Sequence, residues 1–157
     1  GGVMNENKYN ESVIISVTDW INKNLDQRLS IDDIAEKAGY SKWYLQKLFS
    51  RYHNETLAHY IRRKKLIACI NDLKYSHAPI ISLAVKYHFE SQQSFTRSFK
   101  QMMGCTPSVC RKSQRLNVTD SNAHPCSVCS KAENPPKKKL FSGINETFGV
   151  GHLVRLL

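Results

Sequence analysis

The sequence carries one pattern twice, over residues 30–49 and again over residues 79–99, with an offset of 49 to 50 positions. Each copy begins with a short apolar stripe at i, i+3, i+4 spacing, which is typical of one face of an α-helix. These stripes are Ile31, Ile34 and Ala35 in the first copy and Ile80, Leu83 and Ala84 in the second. A turn follows in each copy, and then a serine, Ser41 or Ser91, that is suited to cap another helix. The repeat therefore predicts two helix-turn-helix units.

The spacing of the remaining apolar residues predicts an all-α chain of about seven helices, with two helix-turn-helix subdomains joined by a long central helix. That central helix covers about 19 residues, so it would be roughly 28 Å long, close to the roughly 34 Å of one turn of duplex DNA. Residues 1–3 are expected to precede a natural start at Met4. The predicted boundaries are residues 1–12 for an N-terminal tail, 13–55 for the first subdomain, 56–74 for the linker helix, 75–112 for the second subdomain, and 113–157 for a tail without stable order.

The charge of the chain favours an anionic partner. The formal net charge is +10 and the pI is about 9.5. Residues 1–112 hold 17 of the 23 basic and 10 of the 13 acidic residues, a balance of +7, so most of the excess belongs to the repeat region. Phosphate backbones attract such a surface. With no run of 18 apolar residues and no apolar N-terminal segment, we expect a cytoplasmic protein that does not enter membranes.

The five cysteines are an odd number in unlike contexts, which argues against a disulfide framework. Cys126 and Cys129, with His124 nearby, form the only pair with ligand or redox spacing. Structural zinc requires four ligands, and no second pair accompanies this one. We therefore expect no metal and no cofactor. The absence of a nucleophile with a base and of a phosphate-binding glycine loop also predicts that the protein is not an enzyme.

The second helix of each unit would present a polar face to DNA, because in this motif that helix enters the major groove. At i, i+3, i+4, i+7 spacing these faces hold Trp43, Gln46, Lys47 and Ser50 in the first copy and Gln93, Thr96, Arg97 and Lys100 in the second. The two faces are equivalent in position and different in chemistry. We expect both to be free of acids, with Glu90 in the second turn as the nearest one.

The chemistry of these side chains suggests separate roles. Arg97 is suited to guanine O6 and N7, and Gln46, Gln92 or Gln93 to adenine N6 and N7. Trp43 offers apolar area to a thymine methyl group or a sugar edge. Phosphate contacts position a protein without specifying sequence. The residues expected at the DNA backbone are Ser41, Lys42, Ser50, Arg62, Ser91 and Lys100.

Two stretches resemble a known family. The residues from Gly39 read GYSKWYLQKLF and those from Phe89 read FESQQSFTRSFK. Both are similar to the AraC/XylS family of bacterial regulators, and in particular to its small, stand-alone members of the MarA, SoxS and Rob type. The likeness covers residues 13–112. By position, it implies that the base-reading residues are Trp43, Gln46, Lys47, Gln92, Gln93, Thr96 and Arg97.

The resemblance also implies a mode of action. Such a protein is expected to bind an asymmetric double-stranded site as a monomer through both units. It would usually act with RNA polymerase to activate promoters of stress, efflux or multidrug-tolerance genes. Two positions depart from the family pattern: His88 stands where the second turn usually has glycine, and Cys110 replaces a common aromatic residue.

Two other functional classes remain open from the residues alone. A basic module that binds RNA, other nucleic acids or membranes without sequence preference would share the net charge, and its binding would depend steeply on salt. A redox enzyme would rest on Cys126 and Cys129. Competition by scrambled DNA tests the first alternative, and replacement of both cysteines by serine tests the second.

Overall fold

Between residues 2 and 116, the range that the computed structural model describes, the chain forms seven α-helices and no β-strand, so the predicted all-α class is confirmed. The helices are α1 (Gly2–Lys23), α2 (Ile31–Ala38), α3 (Lys42–His53), α4 (Leu57–Tyr75), α5 (Ile80–Lys86), α6 (Gln92–Met103) and α7 (Pro107–Leu116). No helix in this range is long and apolar enough to cross a membrane. The cysteine pair singled out in the tail, Cys126 and Cys129, lies outside the described residues.

The described chain divides into two compact units. The first contains the chain up to Leu25 together with Leu29–Arg62, and the second contains Asp26–Arg28 and the chain from Arg63 onward. The division falls inside α4, so this helix contributes its first turns to one unit and the remainder to the other. Each unit is described separately below.

The core of the first unit is a single cluster of apolar side chains from α1, α2, α3 and the first turns of α4. Its largest fully buried members are Val13, Ile14, Val17, Ile21, Ile34, Leu45, Phe49 and Leu57. In α1 the residues Ile14, Val17 and Ile21, and in α3 Leu45 and Phe49, stand three or four positions apart, so each of these helices turns one apolar face inward. Removal of that apolar area from water drives the helices together.

The first helix extends well beyond the predicted start. Residues 1–12 were expected to form a tail, whereas α1 runs from Gly2. Asn10 is buried and explains part of this extension. The Tyr40 hydroxyl donates to Asn10 Oδ1 at 2.6 Å, and Asn10 Nδ2 donates to the Tyr44 hydroxyl at 3.2 Å. These polar contacts with the turn and α3 hold a helical turn that carries no apolar stripe.

The turn of the first unit contains the capping serine that the sequence predicts. Gly39 has φ +74°, the left-handed conformation, and Tyr40 N–H reaches back to Ala35 O at 3.0 Å. Ser41 caps α3 because its Oγ accepts from Tyr44 N at 3.2 Å. Ser30 occupies the N-cap position of α2, but its hydroxyl makes no capping hydrogen bond. The backbone carbonyl of Ser30 instead accepts the first helical bond, from Ile34 N.

The second unit buries a row of side chains along α6. Phe95, Phe99 and Met103 stand at i, i+4, i+8 and are all buried. Other buried apolar side chains of this unit are Leu66, Cys69, Ile70, Leu73, Leu83, Ala84 and Cys110. The Phe89 ring from the turn meets the Phe95 ring edge-on, with 5.1 Å between the ring centroids. The turn and the helix that follows it are therefore packed together.

The last helix also exceeds its prediction. A short helical turn through Arg111 was expected, with a tail from residue 113, but α7 continues to Leu116. Ser113 and Gln114 are buried polar residues, and Ser113 Oγ donates to Val109 O at 2.9 Å. Cys110, at a position where the family commonly has an aromatic residue, is completely buried. Arg111 fixes α7 by donating from Nη2 to Ala78 O at 2.6 Å.

Candidate nucleic-acid interface

Helix α3 separates an apolar face from a polar one, as its sequence predicts. Leu45, Leu48 and Phe49 are buried in the core of the first unit. On the other face, Trp43 is 68% exposed and Lys47 is exposed, while Gln46 and Ser50 are partly exposed. An exposed tryptophan is unusual, because a large apolar side chain normally gains free energy on burial. The structure thus places Trp43 outside the core.

Two contacts organise this polar face. Lys47 Nζ lies 4.9 Å from the centroid of the Trp43 ring, within cation–π distance. Gln46 Nε2 donates to Lys42 O at 3.3 Å. The exposed Trp43 ring therefore lies beside the Lys47 ammonium group, on the same face as the Gln46 amide. Apolar area and a point charge are complementary to the thymine methyl groups and acceptor atoms at the floor of a major groove.

Helix α6, 50 residues later in the chain, likewise has a buried apolar face and an exposed polar face. Phe95 and Phe99 are buried, whereas Gln93, Arg97 and Lys100 are exposed and Thr96 is partly exposed. The exposed side chains surround one open groove, which is lined by Gln92, Gln93, Thr96, Arg97 and Lys100. The structure therefore brings together all four base-reading residues predicted on this helix. Side-chain amides and guanidinium groups are the kinds of group that can form bidentate hydrogen bonds with purines.

The N-termini of the two helices are built alike. Ser91 Oγ accepts from Ser94 N at 3.0 Å, in the same manner as Ser41 and Tyr44 in the first unit. Each serine satisfies one of the four backbone amides that have no partner within the helix. The remaining positive end of the helix dipole favours a phosphate.

The two polar faces carry no acidic residue, but Glu90 is not the nearest acid to α3, as was expected. Asp32 of α2 forms an ion pair with Lys42, with 3.4 Å between Nζ and Oδ1. Both side chains are more than half exposed, so the pair contributes little stability and leaves Lys42 available to a stronger anionic partner. Arg62, also predicted at the DNA backbone, is exposed near the start of α4.

The second turn accommodates a residue with a side chain where the family usually has glycine. His88 has φ +58°, so it adopts the left-handed conformation itself. Phe89 N–H donates to Ala84 O at 2.9 Å, which reproduces the bond between Tyr40 and Ala35 in the first turn. The His88 ring contributes a contact of 2.9 Å from Nε2 to Asp26 O. The turn thus keeps its backbone geometry despite the Cβ atom.

Lys65 was not recognised as special from the sequence, where it is one of four consecutive basic residues. Its side chain is only 7% exposed, and its Nζ contacts Tyr87 O at 3.0 Å and Gln27 O at 3.4 Å. One signal was present: Lys65 lies four residues after Ile61 and four before Cys69, which are both buried, so it falls on the inward face of α4.

Comparison with known proteins agrees with this architecture. A family model described as "Helix-turn-helix domain" matches residues 34–113. The TetD protein of transposon Tn10 from Escherichia coli is 45% identical over 109 residues, which cover 69% of this chain and 79% of TetD. The transcriptional activator AarP from Providencia stuartii is 41% identical over 106 residues, covering 68% of this chain and 78% of AarP.

A further relative is the multiple antibiotic resistance protein MarA from Escherichia coli K12, which is 44% identical over 94 residues, 60% of this chain and 74% of MarA. Among solved structures, the C-terminal domain of AraT from Geobacillus stearothermophilus superposes with a TM-score of 0.63 at 20% identity, over 72% of this chain and 94% of that domain. The DNA-binding domain of AdpA, solved with a target DNA, gives a TM-score of 0.62 at 14% identity, over 70% of this chain and 97% of that domain.

The structural likenesses show the shared fold, and among the sequence relatives AarP is named as an HTH-type transcriptional activator. The matched region includes both turns, both polar helices and the linker helix between them. The chain therefore belongs to the AraC/XylS family of helix-turn-helix, DNA-binding transcriptional regulators, with relatives of the MarA kind.

Proposed function

We propose that the protein is a sequence-specific transcriptional activator that binds an asymmetric double-stranded DNA site as a monomer, with α3 and α6 each entering a major groove. The observation that carries this proposal is the pairing of equivalent positions with unlike side chains. Trp43 and Lys47 on α3 correspond to Gln93 and Arg97 on α6, and all four are exposed. Two unlike faces read two unlike sequences.

The division of labour follows from the side chains. Trp43, Gln46 and Lys47 read one element of the site, and the residues of the α6 groove read the other. Arg97 makes the most selective contact because its planar fork matches guanine O6 and N7. Contacts to the DNA backbone come from Ser41, Lys42, Ser50, Arg62, Ser91 and Lys100. At 19 residues and about 28 Å, α4 is slightly shorter than one turn of DNA, which supports elements about one turn apart.

The biological role is proposed from the relatives. AarP is named as a transcriptional activator and MarA as a multiple antibiotic resistance protein. We infer that this chain likewise activates stress, efflux or drug-tolerance promoters in the bacterial cytoplasm, with RNA polymerase as its partner. Mapping of bound sites across a genome would test this role, and a set of sites unrelated to such genes would contradict it.

Competition binding tests sequence specificity directly. A labelled fragment carrying a bound site would be challenged with the same site unlabelled and with a scrambled sequence of equal length and composition. We expect the scrambled competitor to be at least about a thousandfold weaker, because specific recognition adds base contacts to the phosphate attraction. Equal competition, with a steep salt dependence for both, would instead support a basic module without sequence preference.

A further inference from the structure

Lys65 makes contacts that a solvent-exposed basic residue does not make. Its ammonium group is buried in the second unit and bonds to two backbone carbonyl oxygens, that of Tyr87 at 3.0 Å and that of Gln27 at 3.4 Å. Burial lowers the pKa of Lys65, since a low-dielectric surrounding disfavours the charged form. A buried ammonium group is tolerated where acceptors surround it, and here both acceptors are carbonyls.

The carbonyl of Tyr87 belongs to the end of α5. Tyr87 is the C-cap residue, and its N–H donates back into the helix, to Leu83 O at 3.1 Å. Carbonyls at a helix C-terminus have no partner within the helix and carry partial negative charge, so a cation there is favourable. The Tyr87 side chain is also fixed, because its hydroxyl donates to Asp72 Oδ2 at 2.6 Å. Helix α4 therefore holds Tyr87 at both its backbone and its ring.

The next residue extends this arrangement towards the recognition helix. His88 takes the left-handed conformation and contacts Asp26 O through Nε2 at 2.9 Å. Phe89 follows and packs on Phe95 of α6. Only Glu90 and the capping Ser91 then separate the turn from Gln92, where α6 begins. The path from Lys65 to the start of α6 is short and consists of packed or hydrogen-bonded residues.

The first copy of the repeat provides an internal comparison. Helices α1 and α4 align at the same offset of 49, so that Ile21-Asn22 corresponds to Ile70-Asn71 and Ser16 corresponds to Lys65. Ser16 is also completely buried, but its side chain is too short to reach a turn. The first turn has Gly39, which needs no support for φ +74°. The second copy thus has both a long basic side chain, Lys65, and a turn residue other than glycine, His88.

We propose that Lys65 is a positioning residue for the second recognition helix: its ammonium group ties the Tyr87 carbonyl to the Asp26–Arg28 loop and so sets the direction in which the His88 turn sends α6. Lys65 itself does not touch DNA. This inference rests on the proposed reading of DNA by α6.

The test compares base discrimination in Lys65→Met, Lys65→Arg and the control Lys64→Met. Arg97→Ala first identifies the base pair at which α6 discriminates, and Lys47→Ala identifies one read by α3. Affinity is then measured for the cognate site and for sites changed at each of these pairs. We expect Lys65→Met to lower discrimination at the Arg97-dependent pair from about tenfold or more to about twofold. In Lys65→Met, discrimination at the Lys47-dependent pair should stay unchanged. Lys65→Arg and Lys64→Met should discriminate as well as the unaltered protein at both base pairs.

The readout separates positioning from general destabilisation. Partial unfolding lowers the active fraction for every site equally, so it leaves a ratio of affinities unchanged. Unaltered discrimination in Lys65→Met at the Arg97-dependent pair would overturn the proposal. If Arg97→Ala altered no base preference, the proposed function of α6 would itself fail, which is a distinct result.

Two further variants cover the case in which Lys65→Met does not fold. Lys65→Gln retains one donor for the Tyr87 carbonyl, and His88→Ala removes the neighbouring contact with Asp26 O while leaving Lys65 in place. Each should lower discrimination at the Arg97-dependent pair by an intermediate factor, about threefold. Full discrimination in both folded variants would contradict the positioning role.

Discussion

Residues 50 positions apart on α3 and α6 occupy equivalent environments but offer different chemistry. Lys47 presents a compact charge beside the Trp43 ring, whereas Arg97 presents a planar fork beside Thr96 in an open groove. A point charge accepts several hydrogen-bonding geometries, and a fork selects one. We therefore expect α6 to discriminate more strongly between base pairs than α3 does.

Replacement of Arg97 tests that expectation. Arg97→Ala should cost about 1 to 3 kcal/mol of binding free energy at a cognate site and relax preference at one base pair. Lys100→Ala serves as the matched control, because loss of a phosphate contact weakens binding to all sequences alike and lowers the salt slope. Titrations against a panel of single-base variants measure both effects. A uniform loss in Arg97→Ala would assign Arg97 to the DNA backbone.

Tyr40 gives a prediction for alkaline pH. Burial raises the pKa of Tyr40 to about 12, whereas an unfolded tyrosine ionises near pH 10. The folded state therefore keeps a proton that the unfolded state loses, and the stability this provides is complete below pH 10 and lost as the pH rises through 12. In Tyr40→Phe the decline in unfolding free energy between these pH values should be shallower.

Urea unfolding at several pH values measures this slope. The decline in unfolding free energy with pH should not vanish in Tyr40→Phe, because burial also raises the pKa of Tyr52 and Tyr87. At neutral pH the same variant should lose about 0.5 to 1.5 kcal/mol with the hydrogen bond to Asn10. Identical slopes with and without the Tyr40 hydroxyl would show that it ionises alike in both states.

At the scale of elements, apolar periodicity and turn residues predicted the order and type of all seven helices in the described chain. The two ends were missed for a physical reason. The first turns of α1 are held by Asn10, and the end of α7 contains buried Ser113 and Gln114. These polar residues act through tertiary contacts, which a periodic pattern does not contain. Lys65 is a different case, because its spacing from Ile61 and Cys69 places it on the inward face of α4, but a basic residue in a run of four was taken to be exposed.

At both turns we expect glycine to be more stable than alanine, because residue 39 and residue 88 both have a positive φ. Gly39→Ala should destabilise the protein by about 1 to 2 kcal/mol, because alanine resists φ +74° although its Cβ would meet no atom within 4 Å. At the other turn, His88→Gly should be more stable than His88→Ala by about 1 kcal/mol, since both lose the ring contact and only glycine relieves the backbone. Urea midpoints of the three variants provide the comparison. Equal stability of the two position-88 variants would mean that φ at this turn relaxes.

At the scale of the whole molecule, one chain with two unlike reading faces should recognise a site with a direction. We predict one protein per site by sedimentation of the complex. Two artificial palindromes, made by doubling either element, should each bind at least about tenfold more weakly than the natural order, because one helix then faces foreign bases. A palindrome that binds two copies with higher affinity would refute the monomeric mode.

The composition of the second unit limits how the chain can be divided by recombination. A gene fragment that ends at Arg62 carries every described residue of the first unit, together with the short loop. A fragment that begins at Arg63 leaves behind Asp26–Arg28, and with this loop it loses Gln27 O, one of the two acceptors of Lys65, and Asp26 O, the partner of the His88 ring. The N-terminal fragment therefore keeps every described residue of its unit, whereas the C-terminal fragment keeps its unit intact only together with part of the sequence that precedes it.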